Sequence, residues 1–276
     1  MTVDPGTNRL GTYLRARRGL VTPEQAGIPP GGNRKVPGLR REELAMLAGV
    51  SADYYLRLER GRDAHPSAQV LDALARVLLL DDVERGYLHT LAAPHPSTRR
   101  RRRAPERVPA RLHHLLATLG VPAFVEGTTF DVLAANDLAT ALSPRLSPGQ
   151  NRLRSLLLDP EEQAFHKDWA ASVAGFVAAF REQVGDDVDD PRFIELVGEL
   201  SLSSGRFREL WARQDVRMLE GGTTTVRHPV VGELDLHREK LPVDGLLLVL
   251  YYADAGSASA DRLALLATLV EPTSAP

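Results

Sequence analysis

The 276-residue chain has no cysteine. That excludes disulfides, thiolate metal sites and a cysteine nucleophile together. Long apolar runs are missing too. The longest, Leu246–Tyr252 (LLLVLYY), suits a buried strand and falls far short of the roughly 20 residues that cross a bilayer. The N-terminal MTVDPGTNRL has no apolar signal region, so a soluble cytoplasmic protein with no membrane partner is expected. Catalytic signatures are also absent: there is no GxSxG, no GxxxxGK[ST] and no HExxH. His113 and His114 are adjacent in sequence and cannot converge on one ion. His166, His228 and His237 stand isolated, and His228, before Pro229 at a strand end, reads as a structural hydrogen bonder. Asp186, Asp187, Asp189 and Asp190 lack the glycine and terminal glutamate of a calcium loop, which leaves a solvated loop. No catalytic residue, no metal site and no enzyme activity are expected.

What is present is an uneven distribution of charge. The formal net charge is −2, yet residues 1–110 hold 19 Lys/Arg against 12 Asp/Glu, and the remaining 166 residues hold 15 against 24. Only the first part has the electrostatic character that suits phosphate binding. At this length, with 43% hydrophobic residues, two domains with buried cores are expected.

The most informative stretch is Leu39–Gly61, LRREELAMLAGVSADYYLRLERG. Leu44, Leu47 and Ala48 fall at helical spacing, and Ala45 is small enough for a second helix to cross over it. Gly49 stands where the chain must reverse, a place that favours glycine because it often needs positive φ. Val50 then points inward and Ser51 is placed to cap the next helix. Tyr55 and Leu58 share that helix's inner face, leaving Ala52, Asp53 and Arg57 outside. This spacing agrees with a helix-turn-helix that docks its second helix in a DNA major groove. Leu10–Arg18 supplies an earlier helix and Ser67–Leu80 a later one. Asp81 with Glu84 forms a capping box that opens a further helix to about Leu91, with Val83, Tyr87, Leu88 and Leu91 along one side.

Two segments interrupt this pattern. Leu20–Gly38 is too rich in Pro and Gly for a continuous helix. With Arg34 and Lys35 at its centre, it is either a basic loop lying against DNA or a disordered bulge. Arg99–Arg103, flanked by prolines, is a linker, either a solvated tether or an electrostatic anchor that releases counterions.

From Arg111 onward the pattern changes. A short helix at Arg111–Leu119 precedes a strand, turn and strand at Ala123–Leu133. Helices are expected at Asn136–Leu142, Leu153–Leu158, Pro160–Val184, Arg192–Ser201 and Gly205–Asp215. Strands follow at Thr223–His228, Glu233–Glu239 and Leu246–Tyr252, then a helix at Ser259–Val270. Such a mixed fold can enclose an apolar cavity between sheet and helices.

The chain resembles the XRE-type helix-turn-helix transcriptional regulators, specifically the group with an MmyB-like, PAS-like C-terminal domain. ERGR at Glu59–Arg62 followed by PSAQVLDALARVL (Pro66–Leu78) is typical of helix-turn-helix regulators. So is PGLRREELAMLAGVSADYYLRLE (Pro37–Glu59), with its Gly/Pro-rich insertion, for that group. The C-terminal likeness rests on Pro122–Asn136, Asp190–Val216 and RHPVVGELDL (Arg227–Leu236). There are two departures: Ala135 precedes Asn136 where tryptophan is usual, and Gln214 stands where histidine is frequent. An α+β protein is therefore expected, with an all-α DNA-binding domain (1–93), a basic Pro/Arg linker (94–110) and a PAS-like ligand-binding and dimerisation domain (111–276).

The resulting expectation is a homodimeric regulator that reads a double-stranded operator and responds to a small-molecule effector. Arg40 and Arg41 would meet phosphate at the start of the second helix, aided by the helix dipole. Ser51 would cap the recognition helix. Arg57 would pair with guanine and Ala52 would pack on a thymine methyl. Asp53 would accept from cytosine or simply favour the helix N-terminus, and Tyr54, Arg60 and Arg62 would touch the backbone. Phe124, Trp169, Phe176, Trp211, Val216 and Leu219 either fill core or line a pocket. The resemblance implies a fatty acid or similar small apolar ligand there, and no other cofactor. The rival readings are an antitoxin-type protein-interaction module and a C-terminal enzyme carrying a DNA-targeting domain.

Overall fold

The structure, a computed structural model, describes residues 8–29, 34, 36–63, 65–93, 106–185, 190–218 and 221–270. Five helices build the N-terminal part: α1 (Arg9–Leu20), α2 (Arg41–Leu47), α3 (Ala52–Glu59), α4 (Ala68–Val77) and α5 (Asp82–Ala92). Their inner faces meet in one core that includes Tyr13, Leu14, Leu39, Leu44, Tyr55, Leu58, Leu74 and Leu88. Side chains set the helix starts, at Ser51 as the sequence implies and at Asn8 and Ser67 as well. Asn8 accepts from the Gly11 amide, Ser51 from Tyr54, and Ser67 from Val70. Asp81 and Glu84 form the expected reciprocal capping box.

Gly49 adopts φ of +69°, and the Val50 amide donates to the Ala45 carbonyl at 2.9 Å, closing the turn between α2 and α3. Leu47 is 37% exposed, because it lies in the last turn of a seven-residue helix, facing Ala26, Val77 and Leu79 rather than the core. Gly11 has the opposite situation: a β-carbon there would sit 2.3 Å from the Glu59 carbonyl oxygen. α1 therefore crosses the end of α3 backbone to backbone. Gly11→Ala should lower stability by roughly 1–3 kcal/mol through overpacking, read as a lower urea midpoint.

The connection from α1 to α2 is tied down over its described residues. Val21 and Leu39 are buried, and the Leu39 amide donates to the Val21 carbonyl at 3.0 Å. Arg34, expected at the centre of a basic loop, is turned onto Glu43 at 2.8 Å. Lys35 lies outside the described residues, as do Arg99–Arg103 and Asp186, Asp187 and Asp189; Asp190 caps a helix.

The C-terminal part begins with α6 (Ala110–Thr118), β1 (Ala123–Glu126), β2 (Val132–Ala135) and α7 (Asp137–Leu142), followed by a 3-10 turn at Pro144–Leu146. It continues through α8 (Arg152–Leu158), α9 (Pro160–Phe165), α10 (Trp169–Val184), α11 (Pro191–Ser203) and α12 (Gly205–Ala212). It ends with β3 (Gly222–His228), β4 (Gly232–Val243), β5 (Leu246–Tyr252) and α13 (Ala258–Val270). The strands form one antiparallel sheet in the order β2-β1-β5-β4-β3. This is the α+β arrangement expected, with the helices inserted between a first strand pair and a later meander.

Alternation along the strands gives the sheet two apolar faces. Ala123, Val125, Leu246 and Leu248 pack on Leu112 and Leu116 of α6. Phe124, Val226, Leu234, Leu236, Val249 and Tyr251 pack with Leu142 of α7 and Leu266 of α13. Helices α8 and α10–α12 have their own aromatic core around Phe176, Phe180, Phe193 and Phe207.

The stretch 160–184, expected as one helix, is broken into α9 and α10. The Lys167 amide donates to the Thr225 carbonyl of β3 at 3.1 Å, and the Asp168 side chain accepts from Ala171 to start α10. A local side-chain bond and a sheet contact thus compete successfully with helix continuation. His228 behaves as expected: Nε2 lies 3.0 Å from the Ala141 carbonyl, while Nδ1 accepts from the Val230 and Val231 amides.

Candidate nucleic-acid interface and interdomain cleft

The outer side of α3 presents Ser51, Ala52, Asp53 and Arg57 to solvent, with Arg60 and Arg62 just beyond its end and Arg40 exposed before α2. Tyr54 is half-buried. The Arg57 guanidinium lies 2.5 Å from Asp53 and 5.5 Å from the centre of the Tyr54 ring. Both charged groups are largely exposed, so an i,i+4 pair of this kind is worth only about 0.3–0.5 kcal/mol. Little energy therefore opposes a swing of Arg57 onto a base edge.

The orientation of α3 is set from behind by a group the sequence reading did not single out. Glu59 is fully buried and lies 2.7 Å from Nε of Arg18 and 2.6 Å from Nε of Arg41. Burial opposes its ionisation, but hydrogen bonds from Arg41 and Arg18 prevail and hold its carboxyl below the usual carboxylate range. Arg41 is thereby part of a structural clamp joining α2 to α3, with its side chain still 42% exposed. Only its outer guanidinium nitrogens remain to meet a phosphate.

The candidate pocket residues are dispersed. Phe124 is fully buried in the sheet core, its ring centre 6.3 Å from that of Tyr251. Trp169 donates its indole N–H to the Leu156 carbonyl at 2.7 Å. Trp211 stacks on Phe207 with centres 5.3 Å apart. Val216 is buried in the core of the N-terminal helices, and Leu219 lies outside the described residues. Of the five that lie among the described residues, only Phe176 lines a cleft of about 640 Å³ between α5, α10 and β3.

Polar groups dominate the rest of its wall: Lys167, Asp168, Ser172, Arg217, Thr224 and Arg238. Lys167 is paired with Glu233 at 2.8 Å. Sequence reasoning missed these residues because they sit far apart on elements that only the tertiary fold brings together.

Behind Phe176 lies a buried charge cluster. Glu126 is paired with Arg152 at 2.6 Å and with Lys240 at 3.0 Å. The Arg152 guanidinium lies 5.0 Å from the Phe124 ring centre and 4.8 Å from that of Phe176. Burial pushes the Lys240 ammonium down to about 8. Among the described residues no group of three or more His, Asp and Glu is arranged to hold a metal ion. No helix among them is long and apolar enough to cross a membrane.

A capped helix pair with a charged outer face, joined to an antiparallel sheet roofed by helices around a polar cleft, defines a two-part protein with a helix-turn-helix unit and an α+β unit. Comparison with known families agrees. A helix-turn-helix domain model matches residues 9–88, and the model of the MmyB-like transcription regulator ligand binding domain matches residues 108–266. The second match spans more than half the chain, which belongs to that family. The protein is a DNA-binding transcription regulator with a ligand-binding domain, and both matched families are regulator domains rather than enzymes. No curated protein matches the chain significantly.

Proposed function

We propose that the chain reads a specific double-stranded operator as a homodimer, inserting α3 in the major groove. The observation that carries this reading is the polar outer face of α3, with Ala52, Asp53 and Arg57 exposed while Glu59 locks its inner end to α1 and α2. Arg57 pairs with a guanine and Ala52 packs on a thymine methyl. Ser51 caps the helix, and Asp53 holds Arg57 ready or accepts from cytosine. Arg40, Arg41, Tyr54, Arg60 and Arg62 position the domain on the backbone. Residues 1–93 form the DNA-binding unit, 94–110 the basic linker and 111–276 the effector and dimerisation unit. The chain carries out no chemical step of its own.

The effector is a small molecule with an apolar body, such as a fatty acid, and the cleft adds a requirement for an anionic group. Arg217 on its wall favours a negative head, Lys167 being already paired with Glu233, and Phe176 offers apolar surface. Selection of duplexes from random sequence, with and without a lipid extract, tests both parts. Arg57→Ala should cost about 1–3 kcal/mol at one operator position and relax specificity there. Unchanged specificity in the selection would place the reading register elsewhere on α3.

A further inference from the structure

The cleft and the DNA-binding helices share a short piece of chain, residues 215–218. Asp215 receives Nη1 of Arg17 at 2.6 Å, and Nη2 of the same guanidinium reaches Glu84 at 2.6 Å. One side chain on α1 thus joins a carboxylate of α5 to a carboxylate of the ligand-binding part. Val216, next in sequence, is 4% exposed and packs in the core of the N-terminal helices. Arg217 and Met218 then turn outward to line the cleft, and Val83 of α5 completes the same wall. The Arg217 amide donates to the Ala178 carbonyl of α10.

The seam is supported from α10. Arg181 is buried, with Nη1 on Gln214 at 2.8 Å and its guanidinium 3.7 Å from the Trp211 ring centre. Gln214 has φ of +61°, a left-handed conformation that turns the chain after α12 toward α1. Among the described residues, Val216 is the one member of that N-terminal core contributed from beyond Ala92.

We propose that residues 215–218 are a latch that couples occupancy of the cleft to the placement of the DNA-binding helices, a proposal that rests on the regulator reading above. A body entering the cleft pushes on Arg217 and Met218. Because these are contiguous with Val216 and Asp215, it draws Val216 from its seat and lengthens the Arg17–Asp215 pair. The α1–α5 face then loosens against the ligand-binding part. α3 is not covered by this seam, so the effect on DNA is a loss of preorganisation rather than a blocked helix. By linkage, operator binding weakens cleft binding by the same factor.

Gly175 lines the cleft, and a β-carbon there meets nothing within 4 Å. Gly175→Trp therefore places a built-in occupant in the full-length protein without an unidentified ligand, and Gly175→Leu is the milder alternative should the indole disturb folding. Hydrogen exchange of the α1 and α5 amides is followed in the wild-type background and in Val216→Ser. Affinity for a selected duplex is measured alongside. Filling the cleft should speed exchange of these amides and weaken duplex binding, each at least about fivefold, the low end of allosteric coupling. In Val216→Ser the added effect should shrink below about twofold, because both changes act through one contact.

No change in exchange with either Gly175 variant, or equal changes in both backgrounds, overturns the latch. Altered exchange that vanishes in Val216→Ser, with no duplex selected by any variant, supports the latch and overturns the DNA-reading assignment instead.

Discussion

Glu126→Ala should be among the most damaging single substitutions in the ligand-binding part, lowering stability by about 3–5 kcal/mol. Glu126 is fully buried and faces two cations, Arg152 and Lys240, which are themselves almost completely buried. Removing the carboxylate leaves two uncompensated positive charges among Phe124, Phe130 and Phe176. Lys240→Met should be far milder, because it leaves a one-to-one pair of Glu126 with Arg152 and keeps the side chain's volume.

The same cluster has a signature in pH. Burial brings the folded-state Lys240 down to about 8 from an ordinary 10.5. Between those values the unfolded chain binds a proton that the folded chain has released, so this group adds stability as pH rises through that window. Urea midpoints measured from pH 8 to 10 should show that contribution in the wild type and lose it in Lys240→Met. A Glu126→Ala midpoint near that of the wild type would show that the cations find other partners.

Glu59→Ala should be comparably severe, costing about 3–5 kcal/mol as a broken buried pair and abolishing specific DNA binding even where the domain remains folded. Its carboxylate joins Arg18 of α1 and Arg41 of α2 to the end of α3, and its backbone carbonyl accepts from the Asn8 side chain at 2.9 Å. Without it, α3 loses its angular reference to α1 and α2. Glu59 also contributes acid sensitivity. Its folded-state pKa is lowered, so its stabilisation is fully present above the ordinary glutamate value and disappears as pH falls through the lowered one. Glu59→Gln should remove that pH dependence while retaining more stability than Glu59→Ala. A salt titration of duplex binding separates the two roles, since a purely structural loss would leave the slope of the surviving folded fraction unchanged.

The helix-turn-helix was legible because its determinants are local. A cap hydroxyl at Ser51, a positive-φ glycine at Gly49 and the Tyr55–Leu58 spacing act within a few residues of one another. The strands of the C-terminal part were readable for the same reason, since alternation along Leu234 and Leu236 marks a face whatever lies opposite. Legibility failed where two segments compete for one backbone donor, as at Lys167, whose amide serves β3 instead of a continuous helix. Helical spacing likewise placed Leu47 on α2 without fixing its exposure, because spacing names a face but not where a short helix ends.

The apolar residues offered as pocket walls show the limit most clearly. Composition marks Phe124, Trp211 and Val216 as buried, and all three are at least half-buried. Which of them faces a cleft depends on elements far away in sequence. Phe176 lines the opening beside Lys167, Arg217 and Arg238, whereas Val216 sits in the core of the other part.

By itself, then, the sequence determined the DNA-binding helices with their caps and turn, the α+β character of the remainder and the division of charge between the two parts. These follow from periodicity, side-chain capping and composition, which are properties of neighbouring residues. Only the tertiary structure decided that Glu59 holds the recognition helix, that a net positive cluster lies behind Phe176, and that residues 215–218 join cleft to DNA-binding helices. Each of these depends on groups brought together across dozens of residues by burial, where a charge must find a partner that no local pattern announces.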